Sequence, residues 1–295
     1  MKLSGNDGKL RLAVGPIQYY WPRSAVWEFY AAIADAPVDV VYLGEVVCSR
    51  RHELSFEDWL DLADVLAARG KEVVLSTQAL TEGAGDLKLV RKVVLNGRHR
   101  VEANDMGAVR LLAGTEGWVA GPHLNVYNPQ SLGLLMELGA ARWVAPIEVT
   151  REMARSVLAA RPIEAEVFAY GRLPLAFSAR CFTARRFNLQ KEECEYRCIG
   201  FPDGMPLRTR EGEPFLTING VQTQSALVYN LIRDIGSLKD AGVSILRASP
   251  QSQGTVETLR ALRVACDGTA QPAASLVEGY CDGFWHGRPG LERAA

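Results

Sequence analysis

The sequence predicts an α/β fold: a (β/α) barrel, complete or lacking a unit, with a cysteine-rich lobe and a β-ribbon inserted late in the chain. Three observations predict it. Short apolar runs that end in Gly, Pro or polar residues alternate with helical patterns, the signature of a parallel sheet covered by helices. With 295 residues and 48% hydrophobic content, the number of units favours a barrel over an open doubly wound sheet. Neither GxGxxG nor GxxxxGK[ST] occurs, which removes the usual nucleotide-binding sheet.

In chain order, LRLAVG (10–15), VDVVYLG (38–44), EVVLST (72–77), GWVAGPHLNVYN (117–128) and ARWVAPIE (141–148) read as buried strands. SFEDWLDLADVLAARG (55–70) is the clearest helix. Ser55 is its N-cap, Asp58 stands three residues on, Leu60, Leu62, Val65 and Leu66 form its apolar stripe, and Gly70 ends it. NPQSLGLLMELGA (128–140) and TREMARSVLAAR (150–161) behave similarly. After IEAEVFAYGRLPLAFS (163–178) the pattern breaks into a charged, cysteine-rich stretch. CIGFPDGMPLRTREGEPFLTING (198–220) then carries turn signals at PDG and REGEP and reads as a β-ribbon. Alternation resumes with LVYNLIRDIGSLKDAG and VSILRAS (243–249). The expected organisation is one barrel-like domain over 1–295 with an inserted lobe at 179–220.

With 33 basic and 34 acidic residues, nothing global draws the chain to nucleic acid or an anionic membrane. The segment MKLSGNDGKLRLAVGP lacks the apolar core of a signal peptide and no run approaches a membrane span. A cytoplasmic protein is expected. Six cysteines are too few for a disulfide scaffold; clustered in that compartment, they point to metal binding or redox chemistry.

Three of them, Cys181, Cys194 and Cys198, fall within ARCFTARRFNLQKEECEYRC (179–198). Cys194 and Cys198 are four apart, a spacing that puts both on one face of a helical turn. A closed thiolate site needs a fourth ligand. Cys48 is the strongest candidate, because it lies just past the strand VVYLG, as Cys181 lies past its own strand, and strand ends meet at one barrel rim. Cys266, on an apolar helical face, reads as a buried hydrophobe; Cys281 has no geometric argument. Arg50, Arg51, Arg180, Arg185 and Arg186 flank the set and are expected to lower thiol pKa values. Spacing alone does not separate zinc from an iron–sulfur cluster.

EVFAYGRLPLAFSARCFTARRFN, EECEYRC and FLTINGVQTQS resemble the ubiquinone-biosynthesis branch of the collagenase-like peptidase family. The resemblance extends to GPIQYYWPR, YLGEVVCSRRHE, LNVYNPQSL, SPQS (249–252) and the terminal GFWHG, nearly the whole chain. It implies one [4Fe-4S] cluster on Cys48, Cys181, Cys194 and Cys198. It also implies a heterodimer with a UbiU-like sister subunit, oxygen-independent hydroxylation of ubiquinone precursors, and a sterol-carrier-like lipid-binding accessory protein. Glu166, Phe168 and Gly171 fit the E-x-F-x-x-G start of the peptidase signature. The cysteine-rich continuation is replaced by RLPLAFSARCF, so proteolysis is not the expected activity. No GxSxG or HExxH occurs and the catalytic residues stay unassigned. A non-catalytic partner with a structural metal, and a peptidase or RNA-modifying relative, are the competing readings.

Four further groups of residues carry expectations. His52 follows the Cys48 loop and reads equally as a cluster neighbour or an exposed histidine. His123, with Asn125 and Asn128, stands at a strand end, where a structural hydrogen bond is favoured over a pocket role. Trp285 and His286 read as C-terminal packing. Gln222 and Gln224 are placed near the lobe by position alone.

Overall fold

The structure, a computed structural model, describes residues 9–268 and 279–294; the first half of MKLSGNDGKLRLAVGP lies outside them. Four-residue β1 (Arg11–Val14) leads into α1 (Arg23–Ala34), and β2 (Val40–Leu43) into α2 (Phe56–Ala68). The pattern continues through β3 (Glu72–Ser76), α3 (Ala84–Val94), β4 (Arg100–Ala103), α4 (Met106–Leu112), β5 (Trp118–Ala120), α5 (Pro129–Glu137), β6 (Ala140–Val144) and α6 (Arg151–Ala160). The long β7 (Glu164–Phe177) closes the first run. A lobe of α7 (Phe182–Arg186), β8 (Met205–Arg208) and β9 (Pro214–Asn219) follows. The chain re-enters through β10 (Gln222–Asn230), α8 (Ile235–Asp240), β11 (Ile245–Ala248), α9 (Thr255–Asp267) and β12 (Tyr280–Cys281).

Strands β1 to β7 lie side by side in sequence order, all parallel, and β11 pairs in parallel with both β1 and β7. That double pairing closes eight strands into a complete (β/α) barrel, so the option of a missing unit is set aside. Closure removes the free sheet edges that an incomplete barrel would expose. β7 is longer than its barrel register needs. Beyond Tyr170 it leaves the barrel and pairs antiparallel with β10, which carries β9 and β8 as a ribbon. Gly171 stands at the departure point, with φ +130° and no room for a Cβ, which would meet Ser249 Cβ at 2.6 Å. Only glycine combines that dihedral with that approach.

Local chemistry fixes the predicted helices. Ser55 caps α2 through a capping box, its Oγ accepting from Asp58 N at 3.1 Å while Asp58 Oδ2 accepts from Ser55 N at 2.8 Å. Asn128 and Thr150 cap α5 and α6. The units missed from sequence are α1, α3, β4 and α4. β4, RVEA, was hidden because its charges point into the barrel, so it lacks the apolar run expected of a parallel strand. GWVAGPHLNVYN shortens to β5, because Pro122 opens a 3-10 turn over Pro122–Leu124 and Asn125 adopts φ 54°.

Charged residues fill much of the barrel interior. Arg142, fully buried, donates through Nε to Glu164 at 2.6 Å, through Nη2 to Glu72 at 2.7 Å and through Nη1 to Tyr42 Oη at 3.0 Å. Tyr42 Oη donates to Glu166 at 2.5 Å. Glu166 also accepts from Arg247 Nε at 2.5 Å, and Arg247 Nη2 donates to Glu102 at 2.8 Å. The ladder runs through the barrel and is paired at every rung, as buried charges require. Among the described residues no helix is long and apolar enough to cross a membrane.

Candidate cysteine centre at the barrel rim

Four cysteines from two distant segments line one cavity: Cys48, Cys181, Cys194 and Cys198, together with Arg50 and Arg51. Cys48 is carried by the loop after β2; Cys181 is the N-cap of α7, its Sγ accepting from Ala184 N at 3.4 Å. Val46, Val47 and Val221 form a small apolar cluster onto which Cys48, Phe177 and Cys181 pack. This places the Cys48 loop against the lobe. Cys194 and Cys198 do not share an α-helical face. Glu195 and Tyr196 both take left-handed φ angles, 50° and 51°, and a 3-10 turn over Arg197–Gly200 follows. The fold-back of that tight turn, rather than helical periodicity, brings the two sulfurs to one cavity. No three of the four sulfurs lie within 4.8 Å of one another; among the described residues the only trio of ligand-type atoms that close is Asp234, Asp282 and His286. There His286 Nε2 pairs with Asp234 at 3.2 Å and Asp282 accepts from Ala294 N at 2.6 Å.

Arg51 is the buried cation of the site. Its Nη1 donates to Gln18 O and its Nη2 to Asn219 Oδ1, both at 2.8 Å, and Glu45 lies 3.7 Å away. Burial works against the Arg51 charge, but Glu45, Cys198 and Cys48 more than offset it. The expected lowering of thiol pKa is not what the thiols show. Burial pushes the Cys48 thiol up to about 11 although Arg51 pulls the other way, and burial raises Cys198 as well. A metal entering this site therefore displaces protons. Arg180, Arg185 and Arg186 are exposed and do not line the cavity, whereas Lys191 and Arg197 do.

Gln222 and Gln224 are fully buried. Gln222 Nε2 donates to Gln18 Oε1 at 2.8 Å, and Gln222 Oε1 accepts from Asn219 Nδ2 at 3.0 Å and Gln224 Nε2 at 2.7 Å. Tyr19 Oη donates to Gln224 Oε1 at 2.9 Å. The QYYW and NGVQTQS segments thus form one buried amide relay that holds Arg51. Gly220 makes this possible: its φ is +66°, its own N donates to Thr183 Oγ1 at 3.0 Å, and a Cβ there would meet Arg51 Nη2 at 3.0 Å. Gly220→Ala is expected to cost about 1–3 kcal/mol, read by chemical denaturation.

His123 reaches the barrel mouth. It lines a small pocket with Glu102, Asn104 and Arg247, and its ring meets Phe177 edge-on at 5.0 Å. Burial pushes its pKa down to about 4. A histidine held neutral in the fold but free to protonate when unfolded destabilises the fold as pH falls. Stability is expected to drop between about pH 6.5 and 4 by up to about 3 kcal/mol, and His123→Gln should flatten that slope in denaturation curves. Asn125 is exposed and Asn128 serves as a helix cap. His52 lines a wide cleft beside the cysteine cavity. Trp285 is buried, its Nε1 donating to Ser237 Oγ at 2.9 Å. Cys266 and Cys281 are buried elsewhere, in α9 and β12. Sequence reasoning missed Glu102 and Arg247; the signal was there in the charges set among apolar residues in RVEA and ILRA.

Fold and rim together define a (β/α)8-barrel protein with a four-cysteine pocket at the C-terminal ends of its strands. The chain matches Peptidase family U32 over residues 25–272 and belongs to that family. Among solved structures it is similar to the U32 peptidase Mk0906, with 12% identity over 86% of this chain and 98% of that one and a TM-score of 0.47. It is also similar to Mycobacterium tuberculosis tryptophan synthase, at 12% identity, 88% and 90% coverage and a TM-score of 0.43. Thermus thermophilus dihydropteroate synthase matches at 13% identity, 89% and 95% coverage and a TM-score of 0.42.

Proposed function

We propose that this chain is a UbiV-like iron–sulfur subunit that acts with a UbiU-like sister subunit in the cytoplasm. The pair would carry out O2-independent hydroxylation of ubiquinone precursors, with a sterol-carrier-like lipid-binding protein as accessory. The single observation that carries the reading is the convergence of Cys48, Cys181, Cys194 and Cys198 on one cavity with Arg51 buried beside them.

The donor set fits a [4Fe-4S] cluster. Four thiols suit iron–sulfur chemistry. Cys48, Cys181, Cys194 and Cys198 would hold the cluster, which supplies one-electron transfer. Arg51 would offset its negative charge, and the amide relay fixes Arg51 in place. A metal that only staples the lobe is a weaker reading, because Val46, Val47 and Val221 already dock it and Phe182 N donates to Gly220 O at 2.9 Å.

Anaerobic co-purification with a UbiU-like partner, followed by iron, sulfide and zinc analysis and redox titration, tests the proposal. About four iron and four acid-labile sulfide per chain, with a reversible couple, is the expected result. Zinc in place of iron, or no couple, would sink it.

A further inference from the structure

We propose that the cleft between α2 and α3 binds an amphiphilic aromatic: a phenol or benzoate head at the barrel rim with an apolar tail of about ten carbons. The choice of an aromatic head rests on the function proposed above; the cleft itself does not. Its volume is about 740 Å³, within the range of small-molecule sites. α2 packs on α1 and α3 on α4, and between the two pairs the cleft runs over Leu43 and Leu75 on the outer face of the barrel.

The two ends of the cleft differ in chemistry. Phe56, Trp59, Leu89, Val90 and Val93 give the cleft an apolar lining along α2 and α3, which Asp86 and the Glu57–Lys92 pair (3.9 Å) also line. The lining on α3 runs from Gly85 to Val93, roughly 12 Å of helix, the length of an extended ten-carbon chain. Glu45, Arg50, Arg51, His52 and Gln78 make the rim end polar, with Glu45 already 3.7 Å from Arg51 Nη1. Gln78 is 2% exposed, yet neither its Nε2 nor its Oε1 has a partner; Arg50 Nε and Arg51 Nε are buried and unpartnered too. Leaving such groups unpaired inside the protein is unfavourable. A phenol hydroxyl would accept from Gln78 Nε2 or donate to Gln78 Oε1, and a carboxylate would accept from Gln78 Nε2 and give the arginines an anionic acceptor. Arg50 and Arg51 also line the cysteine cavity, so a head bound here lies next to the four sulfurs.

The test uses the full chain, purified anaerobically, with 3-geranyl-4-hydroxybenzoate, 4-hydroxybenzoate and geraniol as ligands in calorimetric titrations. The geranylated acid is expected to bind at least about tenfold more tightly than either fragment. Leu89→Trp, at a half-buried position, fills the slot and should weaken it by about tenfold or more. Gln78→Leu should weaken the two acids by a similar factor and leave geraniol unchanged. Circular dichroism and iron and sulfide content of the same samples report on folding and on the cluster. Intact iron with no binding, or binding that neither variant alters, overturns the cleft and leaves the iron–sulfur reading standing; either result would also point to a partner helix as the occupant. Binding with no iron present upholds the cleft and overturns the iron–sulfur reading instead.

Discussion

On the iron–sulfur reading proposed above, replacing any one of Cys48, Cys181, Cys194 or Cys198 by serine is expected to strip the anaerobically purified protein of most of its iron and acid-labile sulfide. The four sulfurs line one cavity, and no other cysteine does. A hydroxyl is a far poorer ligand for iron than a thiolate. The loss should exceed about tenfold and be accompanied by loss of visible charge-transfer absorption. The contrast is internal: Cys266→Ala and Cys281→Ala, at buried positions in α9 and β12, should keep the metal and change only stability, by about 1–2 kcal/mol. Because the lobe is also held by Val46, Val47 and Val221, the serine variants should remain folded, which separates ligand loss from unfolding. Equal iron content across all six variants would remove the cysteine centre from the function.

The second large effect belongs to the barrel interior. Arg142→Met should lower stability by about 3–5 kcal/mol, a drop of about 5–8 °C in Tm. Arg142 is fully buried and is the shared donor to Glu72, Glu164 and Tyr42. Removing it leaves Glu72 and Glu164 facing one another with only Arg11 and Arg100 to bridge them, and deprives Glu166 of a cation 3.7 Å away. The burden then falls on Arg247, which holds Glu166 from the other side. The loss should lessen at acid pH, where the stranded carboxylates can take up protons. A thermal melt unchanged at neutral pH would show that the ladder contributes nothing to the fold.

The two sites differ in how much of each could be read beforehand. The cysteine set was legible because ligand chemistry is written in residue type. Cys48 and Cys181 each follow a strand, and strand ends in a barrel converge, so a topological rule was enough to join positions 48 and 181. The route by which Cys194 joins Cys198 was not legible, because left-handed φ at Glu195 and Tyr196 is paid for by contacts rather than by local propensity. The direction of the thiol pKa values was misread for a related cause: neighbouring arginines are visible in sequence, but burial, which dominates for Cys48, is not.

By itself the sequence determined the strand–helix alternation, the caps at Ser55, Asn128 and Thr150, the ribbon after Cys198 and which cysteines meet at the rim. These follow from periodicity, turn chemistry and side-chain identity, all of which act over a few residues. Tertiary structure alone decided that the barrel closes through β11, that Arg142 meets Glu72 and Arg247 meets Glu102, that Arg51 is clamped by Asn219, and that a cleft remains between α2 and α3. Each of those depends on partners tens to hundreds of residues apart, and a charge in a short strand reads as solvent-facing until closure of the sheet puts its counter-ion opposite.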